Sequence, residues 1–204
     1  PYVSEVLKPS DDIDIPVDAI WDEGKTFLIV KPEDERSDGS LSEQINIKKL
    51  QYFLLTIGVK NVGEQRVKDM YKSGITNILS LITMTPEDIK FFGPILPEKI
   101  CSSIKVSIKK SSLPILMASC GLFGQGIGIK RFNSIFTTYP DILTLKMSNK
   151  DLIDYISKIH GFASKTSTIV AEGLPKFIEL FNKFPIEYKK IILKNTDIKY
   201  GKSD

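Results

Sequence analysis

The feature that most constrains this chain is a turn that recurs. Gly126-Ile127-Gly128 lies inside the stretch Phe123-Gly-Gln-Gly-Ile-Gly-Ile-Lys-Arg-Phe132. Two glycines around an aliphatic residue, after an apolar run and before a helical pattern, deliver the chain tightly into a helix N-terminus. Ile127 can fill the gap between the flanking helices, while Gly124, Gly126 and Gly128 let the backbone approach something outside. The first-turn N–H groups of the next helix lack intrahelical partners, so such a turn suits an anion, above all a phosphate. Asn61-Val62-Gly63 and Gly161-Phe162-Ala163 repeat the pattern, followed at the same offset by Val67 and Ser167, as Gly128 is followed by Phe132. Asn replaces Gly where a left-handed backbone is required. A degraded copy is read at Pro94-Ile95-Leu96 with Ile100, its glycine slipped to Gly93 and Pro97 opening the helix. The copies start at 61, 94, 126 and 161, spaced by 33, 32 and 35 residues. A near-constant period of that size means one supersecondary unit used several times.

Charge adds a second division. The net of +3 over 204 residues hides an asymmetry: residues 1–46 carry 4 Lys+Arg against 12 Asp+Glu, and residues 47–204 carry 24 against 13. A basic module of this size could follow a nucleic-acid backbone, although a solvated lysine-rich surface explains the composition equally well. No apolar run approaches the ~20 residues of a membrane helix and no signal pattern opens the chain, so an intracellular protein with no membrane contact is expected. Cys101 and Cys120 lack CxxC spacing and His neighbours; they are expected to be buried free thiols, with no metal site.

Along the chain, Tyr2 to Leu7 alternates, residues 8–14 read as a loop and Lys25 to Val30 as a strand bounded by Gly24 and Pro32. A lone hairpin is marginal in water, so residues 1–32 are expected to be the last strands of a larger barrel that begins before Pro1, with Trp21 packed against it. Residues 33–42 have the acidic, turn-rich composition of a linker. From 43 to 182 helical stripes alternate with the turns. Ile45, Leu50, Phe53, Leu54 and Ile57 enter the first turn; Val67, Met70 and Tyr71 leave it. Short helices are expected near 77–81 and 85–88, then one from Pro97 to Lys110. Leu113, Leu116, Met117 and Cys120 lead into the central turn, and Phe132, Ile135 and Phe136 follow it until Tyr139-Pro140. Ser148 to Asp151 caps a helix through Ile159. The last turn opens a helix with Ile169, Val170, Phe177 and Leu180 inward, which Gly173 and Pro175 are expected to bend or break. Residues 183–204 form an extension without assigned function, with Tyr188 to Leu193 a possible strand and the remainder frayed.

The turns have the character of helix-hairpin-helix motifs, which offer backbone amides to phosphates and leave bases unread. Glycine-capped hairpins in a plain helical bundle would explain the glycines. They would not explain the repeated apolar insert with cations just after it: Arg66 and Lys68, Lys130 and Arg131, and Lys165. The residues expected at a DNA backbone are therefore Asn61, Gly63, Arg66, Lys68, Gly124, Gly126, Gly128, Lys130, Arg131, Gly161 and Lys165. No catalytic set is found. His160, the only histidine, reads as a polar turn residue or phosphate neighbour, and no nucleotide-binding Gly-rich loop with Lys-Ser/Thr, GxSxG or HExxH occurs.

The acidic sheet tail, Ile57-Gly-Val-Lys-Asn-Val-Gly-Glu64 and Ala118-Ser-Cys-Gly-Leu-Phe-Gly-Gln-Gly-Ile-Gly128 together resemble the C-terminal half of NAD-dependent DNA ligases, most of all those of large DNA viruses. The resemblance implies a mainly α fold: a tandem helix-hairpin-helix array over 43–182, preceded by the last strands of an oligonucleotide-binding (OB) barrel. It implies nicked duplex DNA as partner and, for the parent enzyme, NAD and a divalent metal. The family's KxDG adenylation motif is missing, so no cofactor is expected in this chain and the chemistry falls to an N-terminal catalytic part of the same protein. The four-cysteine zinc module of many bacterial members is missing too. The alternative from the same motifs is a non-catalytic DNA-binding or scaffold module of a repair nuclease.

Overall fold

The structure is a computed structural model that describes residues 19–21, 28–30, 39–60, 62–124 and 126–200. By its internal contacts the chain forms two compact units, residues 1–45 and 46–204. In the first, Ala19–Trp21 (β1) pairs antiparallel with Leu28–Val30 (β2), Ala19 lying opposite Val30 and Trp21 opposite Leu28. Of the strand expected at 25–30, residues 28–30 are strand and residues 25–27 lie outside the described residues. The alternating stretch at 2–7, the loop at 8–14 and the packing of the Trp21 side chain lie outside the described residues.

The second unit is helical and begins within α1 (Gly39–Thr56), a helix that starts inside the stretch whose composition reads as linker. Its inward stripe is Ile47, Leu50, Phe53 and Leu54, all buried. Gly58, with φ of 84°, ends the following turn in the left-handed region that favours glycine. Then come α2 (Glu64–Lys72), α3 (Ile78–Thr83), a 3-10 helix (Pro86–Phe92), α4 (Leu96–Lys110), α5 (Leu113–Ser119), α6 (Ile129–Thr138), α7 (Asn149–Ser157), α8 (Ser164–Asn182) and α9 (Ile186–Tyr200). Helices adjacent in sequence pack in pairs: α5 with α6, α7 with α8, and α4 with the 3-10 helix. The core between them is mostly aliphatic, with a cluster of rings in which Phe132 and Phe136 of α6 and Phe177 of α8 are fully buried. Both cysteines are free and buried, and burial pushes the Cys120 thiol up to about 11.

Two sequence expectations are corrected. The stretch 188–193 is helix, not strand, because Tyr188, Ile192 and Thr196 are buried at four-residue spacing, one stripe of α9. Nor are residues 194–200 frayed, since α9 continues to Tyr200 and packs on α4 and α5; residues 201–204 lie outside the described residues. The second correction concerns α8, which runs unbroken through Gly173 and Pro175. Gly173 serves packing: a Cβ there would lie 2.3 Å from Cδ1 of Phe123, so only a bare backbone admits that ring.

Candidate nucleic-acid interface

Helices in this chain start in different ways. Three helices that follow no recurrent turn carry side-chain caps, whereas α5, which also follows none, makes no bond to the side chain of its cap residue Ser112 and takes a partner for its first amide from Thr196 of α9. Asn77 accepts from Ser80 N–H at 2.9 Å before α3, Ser148 accepts from Asp151 N–H before α7, and Thr85 and Asp88 form a capping box on the 3-10 helix. The helices that follow the turns have no side-chain oxygen at the cap. Gly63, Gly128 and Ala163 stand in extended backbone before α2, α6 and α8, and none makes a side-chain cap bond. Each cap carbonyl accepts the N–H of a buried residue four positions on: Val67 at 3.2 Å, Phe132 at 3.3 Å and Ser167 at 3.0 Å. The residue just before each cap, Val62, Ile127 or Phe162, is buried in the core. Gly126 and Gly161, two positions before their caps, have φ of 85° and 83°. Asn61 and Gln125 lie outside the described residues.

The apolar plug explains the local fold. Burying one side chain per turn pins the loop inward, and at Gly126 and Gly161 the positive φ reverses the chain direction tightly before the cap. The caps themselves are exposed, and a Cβ added at Gly63, Gly126, Gly128 or Gly161 would meet nothing within 4 Å. Gly124, with φ of 64°, is exposed as well, and a Cβ there would touch Cγ2 of Ile169 at 3.7 Å.

The second copy departs from the rest. Its cap carbonyl belongs to Ile95, so Gly93, with φ of 90°, holds the same place relative to the cap as Gly126 and Gly161. The cap carbonyl alone would give the triplet Gly93-Pro94-Ile95, but Lys99, four past that cap, is exposed, and the buried residue is Ile100, four past Leu96 as in the triplet Pro94-Ile95-Leu96. Pro94, however, is exposed where the other turns bury a side chain, Ile95 is already helical, and Pro94 and Pro97 bring no N–H. This turn has fewer amides to offer.

Charge separates the remaining three. In the first turn Glu64 occupies the first position of α2, with Lys48 Nζ at 2.7 Å and Lys68 Nζ at 3.0 Å. Hydrogen bonds from Lys48 and then Lys68 hold its carboxyl below the usual value. Lys68 is therefore engaged with a carboxylate at the same helix start that Gly63 leaves without a side-chain cap. Arg66 sits half-exposed one turn into α2. The third and fourth turns have no acid in the first helical turn, and Lys130 and Lys165 are exposed there. They are also joined: Arg131 Nη1 donates to Thr166 Oγ1 at 2.8 Å, linking the first turn of α6 to that of α8. Sequence reasoning placed Lys130, Arg131 and Lys165 but missed Thr166 and Lys48. A threonine three residues past a cap gives no signal of its own, and the Lys48 pairing spans 16 residues. His160 is exposed in the fourth turn. Among the described residues no group of His, Cys, Asp and Glu is placed to hold a metal ion, and no helix is long and apolar enough to cross a membrane.

Over most of its length the chain is homologous to DNA ligases of large DNA viruses. It is 30% identical over 192 residues to the DNA ligase of Acanthamoeba polyphaga mimivirus, across 90% of this chain and 29% of that protein. It is 27% identical over 166 residues to the putative DNA ligase 205R of Invertebrate iridescent virus 6, across 81% of this chain and 25% of that protein. The chain thus spans less than a third of the length of these curated relatives. No family model matches it, and no solved structure matches it.

Proposed function

We propose that this chain is the DNA-gripping C-terminal part of a nick-sealing, NAD-dependent DNA ligase. In this reading α1 to α8 form a helix-hairpin-helix array that holds duplex DNA by its phosphates without reading sequence. The observation that carries it is the pair formed by the third and fourth turns: two helix starts without side-chain caps, free of first-turn acids, flanked by Lys130 and Lys165 and tied by Arg131 to Thr166. Anions are stabilised at such helix starts by the unpaired amides and the helix dipole. The amides after Gly128 and Ala163 would each take a phosphate oxygen, with Gly126 and Gly161 shaping the approach and Gly124 keeping the neighbouring loop thin. Gly63, Arg66, Lys68 and Asn61 form a weaker third contact, because Glu64 competes for the cations. The ligase names of the viral relatives support the DNA partner, a nicked duplex inside the host cell.

Strands β1 and β2 are assigned to the end of an OB barrel, residues 33–38 to the link, and 183–204 to an extension of the helical domain. The sequence contains no KxDG, so in this reading the adenylation chemistry lies outside this chain. NAD and the divalent metal belong to the N-terminal catalytic part.

Fluorescence anisotropy with a labelled nicked duplex tests the reading. A dissociation constant of about 10⁻⁴ to 10⁻⁶ M is expected near physiological salt, rising steeply with salt and indifferent to sequence. Lys130→Ala with Lys165→Ala should lower the magnitude of the salt slope by up to about two. Gly128→Val should fold, as its side chain meets no protein atom, yet bind less tightly because it occupies the approach to the amides. Binding indifferent to salt, or folded variants as tight as the parent, would overturn the proposal.

A further inference from the structure

A cleft of about 390 Å³ opens beside the start of the third turn, between α1, the loop before α3 and the C-terminal end of α8. That volume lies within the range of small-molecule sites, roughly 300–1,000 Å³, and far above the water-sized voids of ordinary packing. Its lining is sharply divided. Leu50, Leu79, Leu122 and Leu180 form an apolar surface completed by the buried Cys120. The polar lining includes Lys49 and Lys183 with the amides of Asn46 and Asn77, and no carboxylate lines the cleft. Lys183 reaches back to Glu179 at 2.8 Å, whereas Lys49 has no ion-pair partner among the described residues. Asn77 uses its side-chain oxygen to cap α3, which leaves its NH₂ group available.

We infer that this cleft binds a small planar ring system bearing one anionic group. A leucine surface disfavours a bare inorganic anion, which would be stripped of water without polar replacement. Two exposed lysines at the rim, only Lys183 of them paired with a carboxylate, favour an anionic group over a neutral hydrocarbon. A flat aromatic body can lie on the leucines while a sulfonate, carboxylate or phosphate reaches Lys49 and Lys183, and the two amides can bond the ring edge. None of these residues belongs to the proposed DNA contacts, so the inference stands apart from the ligase reading.

The probe is 8-anilinonaphthalene-1-sulfonate, titrated into the whole chain and followed by its fluorescence and by calorimetry. The expected result is saturable binding at one site per chain. N-phenyl-1-naphthylamine, which keeps the rings and lacks the charge, should bind about tenfold more weakly, the loss of one charge-assisted contact. Lys49→Glu with Lys183→Glu should weaken the sulfonate by about tenfold or more and leave the neutral amine nearly unchanged. Leu122→Trp, which fills the cleft, should remove binding of both. Absence of saturable binding, equal affinity for the charged and neutral probes, or sulfonate binding that survives the charge reversal overturns the inference. The charge reversal lies on exposed positions, so the test stands if Leu122→Trp fails to fold.

Discussion

Glycine inside a helix costs about 1 kcal/mol relative to alanine, yet Gly173 sits in the middle of α8 because the Phe123 ring occupies the space a Cβ would need. Gly173→Ala should therefore destabilise the protein by about 1–3 kcal/mol in urea unfolding instead of stabilising it, and Phe123→Leu in the same chain should recover part of the loss. The two glycines of the central triplet differ in the same way. Gly126 has φ of 85° and Gly128 is extended at −99°. Gly126→Ala should cost about 1–2 kcal/mol through strain at positive φ, and Gly128→Ala about 0.5–1 kcal/mol because alanine is a poorer cap than glycine. Glu64 offers a titration. Lysines 48 and 68 depress its pKa in the folded chain below 4.5. Its stabilising contribution is thus present above that ordinary value and is lost as pH falls through the folded one. A carboxyl-resolved NMR titration should show the depressed midpoint, and Glu64→Gln should erase that part of the acid dependence. If the first turn meets phosphate, the same substitution should tighten duplex binding, since both lysines are released; unchanged binding would remove the first turn from the contact set.

At the scale of elements, α9 caps other helices. Leu113 N–H, at the start of α5, donates to Thr196 Oγ1 at 2.9 Å in place of any bond to the side chain of its own cap residue, Ser112. Asn195 Nδ2 donates to the carbonyls of Lys109 and Ser111, each at 2.9 Å, closing the end of α4. Tyr200 O–H donates to Asn133 Oδ1 on α6. Thr196→Val keeps the shape but leaves a buried N–H unpaired, so unfolding should become easier by about 1–3 kcal/mol, measured by thermal or urea denaturation. This role was not legible in the sequence. Ile191, Ile192 and Leu193 form a short β-favouring run, and what decides for helix is the surface formed by α4 and α5, some 80 residues earlier. The turns were legible because their signal is local: a glycine or asparagine, an apolar plug and a buried residue four positions past the cap all fall within seven residues. The second turn shows the limit of that reading. Around Pro94 and Pro97 the two markers part: the cap carbonyl is that of Ile95, while the buried residue is Ile100, four past Leu96. Local spacing also exposed Lys130, Arg131 and Lys165, but not the 35-residue bond from Arg131 to Thr166 that joins two turns.

For the whole molecule, the division after Ile45 falls inside α1, so a cut at that point would remove the first turns of a helix. A chain beginning at Gly39 should unfold in one cooperative transition and, on the proposed reading, bind duplex DNA with a salt dependence like that of residues 1–204; loss of binding would assign a contact to residues 1–38. The bonds made by α9 also set an order of events during synthesis. Leu113 and Thr196 are 83 residues apart, and at about 5–20 residues per second the ribosome needs roughly 4–17 s to supply the second after the first. Throughout that interval the α4–α5 joint has only water on its open amide and carbonyls. The helix that leads into the central turn is therefore completed last, and nascent chains stalled short of Asn195 should show protease cleavage between Lys109 and Leu113 that disappears once Thr196 has cleared the exit tunnel.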